Sequence, residues 1–155
     1  MNEPLKFKLF SVYGKILHKD VLTEAFRKVK KNKGCAGIDK VSIEVFEENL
    51  DENIELILNE LRTKTYKPSP VRRKYIPKKN GKLRPLGIPT IKDRVVQQAL
   101  VTKLEPFFEE NVFHDNSCGF RANRDVKLAI KKIVSRLESG YLYCLLYTSP
   151  SPRDR

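Results

Sequence analysis

The chain is poor in the residues that build cross-linked or metal-held scaffolds. Its 155 residues include three cysteines, Cys35, Cys118 and Cys144, and two histidines, His18 and His114. An odd number of widely spaced cysteines suits a reducing compartment rather than a disulfide framework. With no CxxC pair and so few histidines, a structural zinc site is not expected. No stretch approaches the ~18 consecutive apolar residues of a transmembrane helix. The opening, MNEPLKFKLF, lacks the ~7–15-residue apolar core of a secretory signal. These absences lead to the expectation of a cytoplasmic protein with no membrane partner.

What the chain does have is positive charge, with 31 Lys+Arg against 19 Asp+Glu and a net of +12. Nearly all of the excess sits between Arg62 and Arg94, where twelve basic residues meet one acid, Asp93. Charge concentrated in a fifth of a chain is the electrostatic footprint of a polyanion partner, most often nucleic acid. The plainer alternative is a solvated basic face.

The last twelve residues, CLLYTSPSPRDR (144–155), break with everything before them. They carry no periodicity, and SPSP is low-complexity. They match the translation of a transposase end and adapter used in sequencing-library preparation. The expectation is an artefactual tail, with 1–143 authentic.

Periodicity predicts helices around one hairpin. HKDVLTEAFRKVKKNKG reads as a helix with Asp20 as N-cap and Val21, Leu22, Ala25, Phe26 and Val29 on one face. Gly34 and Gly37 end it in a short loop. Ser42 is expected to cap a turn through Phe46. Asp51 opens a helix with Ile54, Ile57, Leu58 and Leu61 on one stripe. From Pro68 the period changes, and two extended segments flank Asn80-Gly81, a pair suited to a tight hairpin turn. Thr90 and Asp93 resemble a capping box. The helix they start, with Val95, Val96, Ala99 and Leu100, is expected to stop at Glu105-Pro106. A last helix runs from Asn123, its expected cap, through Val126, Ala129, Ile130, Ile133, Val134 and Leu137. These apolar stripes are expected to be core. Tyr141-Leu142-Tyr143 reads as the start of a strand. The fold class is α+β, amphipathic helices around a basic antiparallel β-hairpin.

Lys and Arg on a two-stranded ribbon can close over phosphates, Arg by bidentate contacts and Lys as a point charge. Lys78, Lys79 and Lys82 lie at the tip, with Arg84 on the returning strand. The target is either a nucleic-acid backbone or a nucleotide triphosphate, and charge does not separate them. Arg94 and Gln97, three positions apart on a helix, can share a face. SCGFRANR, Ser117 to Arg124, places two arginines ahead of a helix N-terminus. His114 beside Asp115 has no nucleophile or second carboxylate spaced to make a catalytic site.

These residues carry a specific resemblance. PVRRKYIPKKNGKLRPLGIPTIKDRVVQQAL (Pro70–Leu100) resembles the fingers block of bacterial group II intron reverse transcriptases. LEPFFE (Leu104–Glu109) and SCGFRANRDVKLAI (Ser117–Ile130) are similar to the blocks that follow it, and NKGCAGIDK (Asn32–Lys40) to the family's N-terminal block. Lys40 stands where the family usually has Gly, Cys118 where it often has Tyr, and Ala122 where it usually has Pro.

The resemblance implies a fingers subdomain of a right-hand polymerase, with 1–61 as a helical N-terminal extension and 62–143 as fingers. By motif position, Lys78 and Arg84 would contact the triphosphate of an incoming dNTP, neutralising charge as the phosphoryl group transfers. Gly87, Ile88 and Pro89 would lie near the templating base. Arg72, Arg73, Lys74 and Arg94 would hold template backbone, supported by Gln97. Gly119, Phe120 and Arg121 match the second fingers motif, and the Gly34–Asp39 loop resembles a template-gripping extension. The implied partners are an RNA template (intron RNA), a DNA primer and dNTP.

Polymerisation needs two divalent ions held by carboxylates, Mg2+ in the parent enzyme. The family's first metal-binding Asp lies on the strand that begins here at Tyr141, and its Tyr-Ala-Asp-Asp type block lies further on. The sequence therefore assigns no catalytic and no metal residue to the chain, and 1–143 alone is expected to be inactive. The alternative function is a stand-alone basic RNA-binding module without catalysis.

Overall fold

A computed structural model describes residues 12–78 and 81–141. The chain divides into two compact units, Met1–Glu110 and Asn111–Arg155. The 144–155 tail, Lys79, Asn80 and the Leu142-Tyr143 continuation of the expected strand lie outside the described residues.

The first unit opens with a short helix that periodicity did not predict, α1 (Val12–Ile16). Ile16 is fully buried, and the Tyr13 hydroxyl donates to the Leu61 carbonyl. Next come α2 (Lys19–Lys31), α3 (Ile43–Glu48) and α4 (Leu50–Arg62). The stripe expected on α2 is buried at Leu22, Ala25, Phe26 and Val29, and that on α4 at Ile54, Ile57, Leu58 and Leu61. Phe26 stacks on Phe46 of α3 with ring centroids 5.4 Å apart. Removing each such side chain from water contributes on the order of 2 kcal/mol.

Caps divide the expectations. Ser42 accepts a bond from the Val45 N–H, as its position predicts. Asp20 does not cap α2. His18 holds the extended cap position, and Asp20 lies in the first turn, where its charge still favours the positive end of the helix dipole. Helix α4 begins one residue before Asp51, after Asn49.

Strands β1 (Arg72–Pro77) and β2 (Leu83–Ile88) form one antiparallel ribbon, with Arg73 opposite Gly87 and Ile76 opposite Arg84. Two prolines fit because a two-stranded ribbon leaves outer edges that need no donor. The connection is longer than a two-residue turn. Lys78 N–H donates to the Lys82 carbonyl at 2.7 Å, and Gly81 N–H donates back to Lys78. Gly81 has φ +78°, a left-handed conformation that glycine adopts at little cost.

Helix α5 (Ile91–Asn111) does not stop at Glu105-Pro106 but runs through Pro106. A proline removes one N–H from the helical ladder, which weakens a helix without necessarily ending it. Its buried residues Ile91, Val95, Val96 and Ala99 complete the core with α2, α3 and α4.

The second unit holds a loop and α6 (Val126–Glu138). Asn123 is not its cap. Asn123 adopts φ +57°, and Asp125 caps the helix by accepting the Leu128 N–H at 2.8 Å. The stripe expected to be core is not buried. Val126, Ile130, Ile133, Val134 and Leu137 are all exposed, and no described residue of α6 is buried. Periodicity identifies a face suited to burial, whereas burial itself requires a packed partner.

Candidate nucleic-acid interface

The hairpin is fixed at its root by a buried carboxylate. Asp93, in the first turn of α5, accepts bonds from Tyr66 Oη at 2.6 Å, Ser69 N–H at 3.1 Å and Thr90 Oγ1 at 2.7 Å. Thr90 Oγ1 in turn accepts the Asp93 N–H at 3.2 Å. The capping box exists, but the carboxylate bonds the Thr90 hydroxyl and two groups ahead of β1. One side chain thus ties the chain entering the ribbon to the chain leaving it. Burial first, and then the bond to Asp93, push the Tyr66 hydroxyl well above its ordinary value.

The N-terminal loop is docked to the same root. Gly37 is buried, and a Cβ there would lie 2.7 Å from Thr90 Cα, so only glycine allows the loop this close. Arg94 Nε donates to the Pro89 carbonyl at 3.2 Å, and its terminal nitrogen donates to the Cys35 carbonyl. Arg72 reaches Cys35 Sγ at 3.5 Å. Lys40, where the resemblance has Gly, takes φ +60°.

Strand alternation sorts the hairpin residues by face. Arg72, Lys74, Ile76, Arg84, Leu86 and Ile88 share one side, and Lys78 follows directly after β1. Arg73 and Gly87 lie on the other. Lys74, Lys78 and Arg84 are exposed, while Ile88 is buried at the root. Among the described residues, Arg73, Lys74 and Arg84 make no ion pair. Lys92, by contrast, is committed to the fold through Glu60 at 2.6 Å.

Arg94 and Gln97 come together as the sequence predicts. They line one cavity of about 230 Å3 with Asn32, Gly34 and Gln98. In the second unit, Arg121 is buried and donates to the carbonyls of His114 at 2.8 Å and Ser117 at 3.0 Å. Its guanidinium lies 5.0 Å from the Phe113 ring centroid. Phe120 is fully exposed at φ +56°, and a Cβ at Gly119 would meet nothing within 4 Å. His114 accepts the Asn116 N–H on Nδ1, a local turn contact. Among the described residues no three His, Cys, Asp or Glu side chains gather to hold a metal ion.

The family profile of the reverse transcriptase (RNA-dependent DNA polymerase) matches residues 76–145. Group II intron-encoded protein LtrA of Lactococcus lactis subsp. cremoris is 42% identical over 125 residues, which are 79% of this chain and 20% of LtrA. Protein YkfC of Escherichia coli (strain K12) is 42% identical over 118 residues, 75% of this chain and 31% of YkfC. The chain belongs to the group II intron reverse transcriptase family. A putative COX1/OXI3 intron 2 protein of Saccharomyces cerevisiae is 32% identical over 110 residues, 71% of this chain and 13% of that protein. The chain therefore spans a third or less of the length of these family members.

In this reverse transcriptase chain the matched stretch takes in β2 and α5, with most of β1 just ahead of it. Sequence reasoning missed the root of the interface. Tyr66 and Ser69 carried no motif, and Asp93 was read only as a capping partner. The signal available was the isolation of Asp93 among twelve cations, since a lone carboxylate there needs a reason to be retained. No helix among the described residues is long and apolar enough to cross a membrane.

Proposed function

We propose that the chain is the gripping part of an RNA-directed DNA polymerase and maturase, with 1–61 as N-terminal extension and 62–143 as fingers. The observation that carries this is the placement of Lys74 and Arg84 on one side of a ribbon whose root is pinned by Asp93. A ribbon held at its base, with exposed cations on one face, can fold over a triphosphate without rebuilding its own structure. Lys78 and Arg84 contact the dNTP. Arg72, Arg73, Lys74, Arg94 and Gln97 hold the RNA template, and Gly87, Ile88 and Pro89 lie at the templating base. Gly119, Phe120 and Arg121 add a second contact to template and nucleotide. Family membership supports the polymerase class. On this reading the Mg2+-binding carboxylates are supplied by a further part of the parent protein, and the chain alone is inactive. The partners are intron RNA, a DNA primer and dNTP.

The test uses a longer protein that joins this chain to a Tyr-x-Asp-Asp block. Lys78→Ala and Arg84→Ala should raise the KM for dNTP about tenfold or more while changing the RNA Kd little. Loss of RNA affinity with an unchanged nucleotide KM would instead support a stand-alone RNA-binding module.

A further inference from the structure

The hairpin has a second face with a different chemistry. Opposite the side of Lys74 and Arg84 lie Arg73, Tyr75 and Pro77 of β1, facing Gly87, Pro85 and Leu83 of β2. Tyr75 is 53% exposed and Leu83 62%, and both prolines are exposed. Arg73 is exposed and makes no ion pair among the described residues. One side of the ribbon thus sets exposed Lys74 and Arg84 among Ile76 and Leu86, and the other carries a tyrosine ring, Leu83 and two prolines with a single arginine.

A ligand for that stripe must be flat and apolar on its faces and anionic at its edge. An acidic peptide supplies the charge without the flat face. A nucleobase with its own phosphate supplies both, since every base has a π-face that stacks on an exposed aromatic ring. Arg73, two residues from Tyr75 and on the same side, stands where the phosphate of a stacked nucleotide needs a partner. No acid occurs between Arg62 and Lys92 to repel it.

We propose that this outer face binds a single-stranded nucleic acid, with a base stacked on Tyr75 and its phosphate on Arg73. The inference rests on the reading of the hairpin as a nucleic-acid grip and adds a contact on the side away from Lys74 and Arg84. The ribbon then engages nucleic acid on both faces.

The experiment measures binding of the full 155-residue chain by fluorescence anisotropy to two labelled probes. One is a ~12-nucleotide oligoadenylate, and the other an abasic strand of equal length carrying the same phosphates. Tyr75→Ala should lower affinity for oligoadenylate about tenfold and leave the abasic strand unchanged, while Tyr75→Trp keeps the preference for bases. Lys74→Ala with Arg84→Ala should weaken both probes and flatten the salt dependence. If that pair changes neither probe, the grip reading itself fails. If it weakens both while Tyr75→Ala changes neither, the outer-face inference alone is overturned. An equal loss on both probes in Tyr75→Ala also overturns stacking. Self-association that Tyr75→Ala abolishes, with both probes unaffected, assigns the face to protein contact and overturns the proposal.

Discussion

Tyr66 donates its hydroxyl hydrogen to the buried carboxylate of Asp93 at 2.6 Å, across 27 residues of sequence. The same carboxylate holds Ser69 and Thr90, so one acid in the most basic stretch of the chain sets both ends of the ribbon. Its burial is tolerated because three donors replace the water it loses.

Tyr66→Phe should therefore lower unfolding stability by about 2 kcal/mol, the worth of a hydrogen bond to a charged group. Asp93→Ala should cost more, about 3 kcal/mol, because it strands several donors at once. Urea unfolding measures both, and amide exchange should rise first at Ser69 and at the end of β2, next to Thr90. A loss spread evenly over α2 and α4 would show that Asp93 does not act at the ribbon root.

Alkaline pH should act on the same contact. The pKa of Tyr66 is raised in the folded chain above its ordinary value of 10.0, so the native state keeps a proton that the unfolded chain gives up. The stability this contributes is whole below about pH 10 and is lost as pH climbs towards the raised value. A pH series of unfolding midpoints should fall more steeply for the natural chain than for Tyr66→Phe. Parallel curves would assign the alkaline loss to other groups.

Gly37→Ala tests the docking of the N-terminal loop. Its new Cβ would fall 2.7 Å from Thr90 Cα and 2.9 Å from Thr90 N, both backbone atoms that cannot swing aside. The expected cost is about 1–3 kcal/mol. Calorimetry should record a lower Tm, and amide exchange should quicken from Gly34 to Asp39. Gly81→Ala is a useful contrast, since its strain comes from φ +78° with nothing within 4 Å and is confined to the hairpin loop.

Residue patterns were sufficient for the parts governed by local rules. The apolar stripes of α2 and α4 specify buried faces because side chains at i, i+3 and i+4 share one side of a helix. Ser42 specifies a helix start because its hydroxyl can accept an orphan N–H. The change of period after Pro68 and the Asn80-Gly81 pair specify a hairpin. The family blocks specify a group II intron reverse transcriptase, a property of residue order that needs no coordinates.

Tertiary structure decided the remainder, where the outcome depends on neighbours distant in sequence. Pro106 lies inside a helix because one missing N–H does not outweigh the bonds on either side. The α6 stripe is exposed because an apolar face is buried only where something packs on it. Alternation in the sequence does not fix which strand residues face each other. The register, with Ile76 opposite Arg84 and Tyr75 opposite Pro85, puts Arg84 and Tyr75 on different faces. The acid that matters, Asp93, was in plain view among the cations, and only the approach of Tyr66, Ser69 and Thr90 in space gave it a role.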